Sequence, residues 1–193
     1  MGKIFLVRHG HHPEVGRVLS GRSEIPLSEE GEHQAQALAA MMADVPIASL
    51  YSSPRRRALA TIAPLATQRR LKVQVSAALD EIDFGVFTGR SFAALNADPA
   101  WMRWNAQREK ARCPGGETMA EVIARALAYF RTLSLAALPA LCVTHCDVIR
   151  GLLADQSGRG LANLFDFACE PGSVTTLSFD GAMLRGCSSC LPS

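Results

Sequence analysis

The chain has 193 residues, 48% of them apolar and 20% charged, with a formal net charge of +2 at neutral pH. Those proportions exclude a disordered or low-complexity chain and supply enough apolar mass for one sizeable core, so residues 1–193 are expected to form a single domain. The near-neutral balance argues for neither a nucleic-acid nor a membrane partner, although locally clustered arginines can still shape a pocket for a small anion.

The apolar run Ile4–Val7 is cut off by Arg8. It is too short for a signal-peptide core or a membrane span, and no later run reaches spanning length, so the expected location is the cytoplasm. Cys113, Cys142, Cys146, Cys169, Cys187 and Cys190 are scattered without a secretory context, which predicts reduced thiols. Cys187 and Cys190 make one C-x-x-C, but a zinc ribbon needs a second ligand pair at matching spacing, which the chain lacks.

Ile4–Val7 reads as the first strand and leads into Arg8-His9-Gly10. Ser28 is a predicted helix N-cap: Glu29, Glu30 and Glu32 suit the positive end of the helix dipole, and Ala35, Leu38, Ala39 and Met42 form an apolar stripe. Leu50–Tyr51 is the next strand. After it, Ser53 and Pro54 read as N-cap and first helical residue, with Ala58, Ile62, Leu65 and Ala66 as the buried stripe. Val73–Val75 is a third strand, followed by Asp80-Glu81.

The stretch 85–116, rich in Trp, Asn, Arg and Pro, breaks the alternation and is expected to be an irregular helical insertion walling a pocket. Thr118 should cap a helix that buries Val122, Ile123, Ala126, Leu127 and Phe130. Leu141–Thr144 is a strand running into His145-Cys146-Asp147, and Asp147 is expected to start a helix burying Val148, Leu152 and Leu153. Val174–Ser178 is the last predicted strand. The alternation predicts an α/β fold, a three-layer α/β/α sandwich on a mostly parallel sheet.

In such sheets ligands bind beyond the carboxyl ends of the strands. Arg8-His9-Gly10, Ser52-Ser53-Pro54, Asp80-Glu81 and His145-Cys146-Asp147 should therefore converge on one edge. Phosphoryl transfer asks mainly for positioning and charge neutralisation, which the planar fork of arginine suits. Arg8 and Arg57 are candidates, Arg57 lying near a helix N-terminus that itself favours anions. Neighbouring positive charge would keep His9 neutral and nucleophilic. Partial burial would raise the pKa of Glu81 toward that of a general acid, and His145 could donate to the same phosphate. Taken singly, these residues also admit structural readings: a solvated turn carboxylate for Glu81 beside Asp80 and Asp83, a solvated face for the run Arg55-Arg56-Arg57, a satisfied buried histidine for His145.

The chain resembles the histidine phosphatase superfamily. The resemblance is carried by Leu6-Val7-Arg8-His9-Gly10, by Pro26-Leu27-Ser28 with Gly31, by Ser52-Ser53-Pro54 with Arg57-Ala58 and Thr61, by Glu81 with Phe84-Gly85, by Pro114-Gly115-Gly116-Glu117-Thr118, and by Val143-Thr144-His145 with Val148-Ile149-Arg150. It implies a phosphoglycerate mutase-like fold, phosphorylation of His9, a phosphate pocket of Arg8, Arg57 and His145, and proton transfer by Glu81. It implies a small phosphomonoester as partner and no metal or organic cofactor. Short members include alpha-ribazole phosphatases and broad-specificity phosphatases, so hydrolysis is the expected activity. A mutase using the same phosphohistidine and a silent phospho-ligand-binding domain are the alternatives.

Two segments depart from the family pattern. After Arg8-His9-Gly10 the chain reads His11-His12-Pro13-Glu14-Val15 where the family usually has an acidic or small residue, then Thr, with Asn a few positions on. Cys146 follows His145 where Gly is common, and would crowd the phosphate pocket or change a backbone donor. His9-x-His11-His12 could suggest a metal site, but adjacent histidines on one loop rarely share an ion and the usual carboxylates are not beside them. His11, His12 and Arg22 are expected at the substrate entrance, Arg22 and Cys146 as phosphate- or substrate-binding candidates, and His33 on an exposed helix face. The oligomeric state stays open, a homodimer included.

Overall fold

The computed structural model describes residues 2–158, 160–180 and 184–190, the last stretch as backbone alone. Its six-stranded sheet comprises β1 (Gly2–Arg8), β2 (Ser49–Ser52), β3 (Val73–Val75), β4 (Ala140–Thr144), β5 (Val174–Phe179) and β6 (Leu184–Cys190) in the order β3-β2-β4-β1-β5-β6. β1, β2, β3 and β4 pair in parallel, and β5 and β6 add antiparallel at one side. The mostly parallel three-layer prediction therefore holds, with β6 as an unpredicted strand. Leu-Arg-Gly-Cys-Ser-Ser-Cys has no β-branched or aromatic residue, so it carries no strand signal of its own. Cys187 and Cys190 lie on it, and their side chains fall outside the described residues.

Successive side chains of a strand face opposite ways, and the sheet uses both faces. Phe5, Val7, Leu50, Leu141 and Val143 pack against α1 (Glu29–Met41) and α2 (Arg56–Arg69) through Leu38, Ala39, Ala58, Ile62 and Leu65. Ile4, Leu6, Tyr51, Ala140 and Cys142 face the other cluster. There α5 (Met119–Thr132) and α6 (Cys146–Ser157) pack, together with the insertion.

The insertion consists of a 3-10 turn at Gly85–Phe87 and the short helices α3 (Phe92–Leu95) and α4 (Pro99–Ala106). An aromatic cluster anchors it. Trp101 and Trp104 stack at 5.2 Å, and Phe84 meets Trp104 edge-on at 5.6 Å. Such pairs contribute about 0.5–1.5 kcal/mol each beyond their area.

The predicted caps hold for α1, where Ser28 Oγ accepts from Gly31 N, and for α5, where Thr118 and Glu121 form a capping box. α6 begins at Cys146 with His145 as N-cap residue, one position earlier than Asp147. α2 is a correction: its N-cap is Arg55, which offers no side-chain cap, and Ser53 lies outside the helix. The Ser53 hydroxyl still accepts from Arg55 N at 3.3 Å, and it is also held by His145 and Asp80.

Two glycine contacts fix the loops beneath the site. A Cβ on Gly31 would lie 2.0 Å from the His11 carbonyl oxygen, so only glycine lets α1 approach the loop after β1. A Cβ on Gly116 would lie 2.1 Å from the Asp83 carbonyl oxygen, where Pro114-Gly115-Gly116 backs the loop carrying Glu81.

Candidate active site

Because β1, β2 and β4 are parallel, their carboxyl ends share an edge, and His9, Ser53 and His145 follow them directly. Glu81 reaches the same edge through the 3-10 turn Ala77–Leu79 after β3. Arg8, His9, Arg57, Glu81 and Cys146 line one cavity of about 880 Å³. The side chain of His145 lies immediately behind it, with its ring centroid 5.1 Å from that of His9. The five proposed catalytic residues are thus brought together.

His9 is buried, and its Nδ1 lies 2.8 Å from the Gly10 carbonyl oxygen. A carbonyl can only accept, so Nδ1 carries the proton and the neutral ring keeps its lone pair on Nε2. Burial, then Arg57 and Arg8, hold the His9 pKa well below the ordinary histidine value, which keeps that lone pair available at neutral pH. Gly10 N donates to Thr61 Oγ1 at 2.9 Å, and Thr61 Oγ1 donates to the Arg57 carbonyl at 2.7 Å, tying the loop after β1 to α2.

Arg57 is almost wholly buried, although its neighbours in the run differ from it: Arg56 is exposed, and Arg55 pairs with Glu24 and Asp80. Arg55 is therefore not the solvated residue its sequence context suggested. Arg57 Nη1 donates to the Ser23 carbonyl at 2.9 Å and Nη2 to that of Gly21 at 2.5 Å. Arg8 Nη1 donates to the Cys169 carbonyl. The Nε atoms of Arg8 and Arg57 are buried without a hydrogen-bond partner among the described residues. Two orphaned cationic donors beside one cavity leave it short of an acceptor, which an anion with several oxygens supplies.

Both nitrogens of His145 are engaged. Nδ1 lies 3.2 Å from Arg57 Nη2 and must accept, so Nε2 carries the proton and donates to Ser53 Oγ at 2.7 Å. Ser53 Oγ in turn donates to Asp80 Oδ1 at 3.2 Å. Burial and the Arg57 charge push the His145 pKa down. Donation to a phosphate, expected from the sequence, requires Nε2–H to exchange Ser53 for a phosphate oxygen.

Glu81 is buried, and its pKa is raised to about 8, chiefly by burial and next by the charge of Asp147. Ile82 N donates to Oε1 at 3.0 Å, which leaves Oε2 to carry the proton. The neighbouring Asp83 accepts from Gly85 N and pairs with Arg22.

Arg22 is not brought to the cavity. It donates from Nε to the Glu81 carbonyl at 2.9 Å and pairs with Glu117 at 2.9 Å and Asp83 at 3.5 Å, so it braces the loop that carries Glu81. Its partner there is Arg125, which sequence reasoning did not single out: Nη2 donates to the same carbonyl at 3.1 Å and Nε pairs with Glu117. His11 also turns away, its Nδ1 2.7 Å from Ser28 Oγ. His12 does line the cavity, and His33 is exposed. Cys146 lies against Cys169, and that contact together with burial pushes its thiol pKa up, so it is an inert wall of the pocket. Cys113, Cys142, Cys146 and Cys169 are free thiols.

The outer cavity belongs largely to the insertion. Phe92, Trp101 and Met102 form an apolar wall beside Asn96 and Asn105. Arg108 and Arg150 flank the exposed Phe165 ring at 4.8 and 5.6 Å, and Arg108 pairs with Asp147. Among the described residues, no cluster of three or more His, Cys, Asp or Glu is arranged to hold a metal ion. None of the described helices is long and apolar enough to cross a membrane.

A neutral imidazole, two arginines and a protonated carboxyl around one anion-hungry pocket, at the carboxyl edge of a parallel sheet, define a protein built to handle a phosphoryl group. Residues 4–185 match the model of the histidine phosphatase superfamily (branch 1), and the chain belongs to that family. It is 33% identical over 165 residues to a probable phosphoglycerate mutase GpmB of Proteus mirabilis, covering 82% of this chain and 76% of the relative. It is 26% identical over 186 residues to a putative phosphoserine phosphatase 2 of Hydrogenobacter thermophilus, covering 94% and 91%. The mycobacterial glucosyl-3-phosphoglycerate phosphatase structure superposes with a TM-score of 0.81 at 26% identity, covering 97% of this chain and 96% of that one.

Proposed function

We propose that the protein is a metal-independent phosphomonoesterase working through a phosphohistidine on His9. The observation that carries this is the His9 tautomer: with Nδ1–H held by the Gly10 carbonyl, the lone pair on Nε2 belongs to a buried, neutral ring between Arg8 and Arg57. Nε2 attacks phosphorus, the bond to the leaving oxygen breaks, and Glu81 delivers its proton to that oxygen. The carboxylate so formed then takes a proton from water, whose oxygen attacks the phosphohistidine; the N–P bond breaks, phosphate leaves, and neutral His9 and protonated Glu81 are restored. Arg8 and Arg57 neutralise the non-bridging oxygens in both steps.

The substrate reading follows the cavity. Its volume lies near the upper end of the roughly 300–1,000 Å³ found for sites that hold drug-sized ligands. The walls combine aromatic rings with amides and two arginines, which suits a leaving group with a planar or apolar body and polar substituents better than a three-carbon acid. A mutase reading draws on the identity to the probable phosphoglycerate mutase and requires return of phosphate to substrate.

The deciding experiment measures phosphate release from a panel of esters with EDTA present and with His9→Ala alongside. The panel includes alpha-ribazole 5′-phosphate, glucosyl-3-phosphoglycerate, phosphoserine and 3-phosphoglycerate. EDTA-resistant release that vanishes in His9→Ala, with larger esters preferred, is the expected result. Release by His9→Ala at the wild-type rate overturns the mechanism, and isomer exchange without phosphate release selects the mutase.

A further inference from the structure

The loop after β1 places a second imidazole beside the nucleophile. His12 is buried, lines the same cavity as Arg8 and Arg57, and has its ring centroid 5.3 Å from that of His9. A tight turn holds it: Val15 N donates to the His12 carbonyl at 3.0 Å, and Glu14 N donates to His12 Nδ1 at 3.3 Å. Ser20 Oγ donates to Glu14 Oε2 at 2.8 Å and steadies that turn from the other side.

Because Nδ1 accepts, the neutral ring carries its proton on Nε2. Nε2 has no partner among the described residues. Burial, then Arg57 and Arg8, lower the His12 pKa to about 4, so the ring is a fixed neutral donor at neutral pH. Its Nε2 lone pair is occupied by the proton, which excludes it as a second nucleophile. His11 has no such role, being held at Ser28 outside the cavity.

We infer that His12 is a phosphate-binding residue of this chain, donating from Nε2–H to a non-bridging oxygen of the phosphoryl group held by Arg8 and Arg57. The inference rests on the functional reading above. A neutral donor adds a hydrogen bond to the anion without adding a third positive charge beside two arginines, whose mutual repulsion a further cation would increase.

The test compares wild type, His12→Phe and His12→Gln for phosphate release, vanadate affinity by calorimetry, and thermal unfolding. Phe keeps the ring volume and removes the donor; Gln keeps an N–H at similar reach. His12→Phe is expected to lose on the order of 10² in kcat, as for deletion of one transition-state donor. It should bind vanadate more weakly, with a smaller change in KM, and His12→Gln should recover part of both losses. Wild-type kcat and vanadate affinity in His12→Phe overturn the inference, as does equal impairment of the two variants. Should His12→Phe not fold, His12→Ala takes its place in the same comparison. If wild type itself turns over no ester, the functional reading fails separately, and the vanadate titration alone decides for or against His12.

Discussion

Arg57 Nη2 lies 3.2 Å from His145 Nδ1, and because a guanidinium only donates, this one contact sets the His145 tautomer. The same guanidinium holds the Gly21 and Ser23 carbonyls and has its Nε left over for an anion. Arg57 thus joins two loops and the proposed phosphate pocket through a single planar group. An ammonium has neither the fork nor the reach to make those contacts at once. Arg57→Lys is therefore expected to lower kcat/KM on the order of 10² or more while the protein still folds. Steady-state kinetics with circular dichroism checks this; kcat/KM within twofold of wild type would show that only the charge of Arg57 matters.

Glu81 yields a prediction that depends on the leaving group. An alkyl ester needs its departing oxygen protonated, whereas p-nitrophenolate leaves unaided. Glu81→Gln should reduce kcat on alkyl phosphates by on the order of 10²–10⁴ and spare formation of the phosphohistidine from p-nitrophenyl phosphate. With the Glu81 pKa at about 8, wild-type kcat/KM on alkyl esters should fall as pH rises past that value. His9 imposes no acid limb near neutrality, because its pKa lies well below the usual one. Single-turnover kinetics on both ester types test the assignment, and equal losses on both would remove Glu81 from the acid role.

The same buried carboxyl should cost stability. Its folded pKa of about 8 lies above the unfolded value, so the folded state binds the extra proton. Wild-type stability from this group is complete at low pH and is lost progressively as pH rises from the unfolded value toward about 8. Glutamine has no such proton to lose. Glu81→Gln should consequently unfold at higher denaturant than wild type at pH 8, by up to a few kcal/mol, with the gap closing toward pH 5. Paired urea titrations at the two pH values measure it; a gap independent of pH would mean the carboxyl is solvated.

Much of this site was legible because its residues sit at strand ends, where hydrophobic runs stop at charged or polar groups. Ile4–Val7 ending at Arg8-His9 and Leu141–Thr144 ending at His145 are local signals, and the parallel pairing that unites them follows from the helices between. Ser53 misled for a physical reason. The hydroxyl does accept from Arg55 N, but α2 starts only at Arg56, and the same hydroxyl is held by His145 and Asp80, partners 92 and 27 residues away that no local pattern reveals. The role of Arg125 was hidden likewise, since an arginine on an amphipathic helix becomes informative only when its neighbours in space are known, whereas His12, expected at the substrate entrance, does line the cavity. β6 was missed because pairing with β5, and not its own composition, makes it a strand.

Arg22 separates the sequence expectation from the structure most cleanly. A substrate-binding Arg22 would, on removal, raise KM for every ester. The structure instead has Arg22 Nε and Arg125 Nη2 donating to the Glu81 carbonyl at 2.9 and 3.1 Å, with Glu117 neutralising both guanidiniums. Arg22→Ala should then act through the placement of the Glu81 carboxyl. The expected result is a fall of about tenfold in kcat on alkyl phosphates, the lower part of the range for a displaced general acid, with KM unchanged and the p-nitrophenyl ester little affected. Arg22→Lys, which keeps the ion pair with Glu117 but reaches the carbonyl less well, should fall between. A uniform rise in KM across the panel would return Arg22 to the substrate, because a brace behind Glu81 has no means of weakening the binding of an ester that needs no proton.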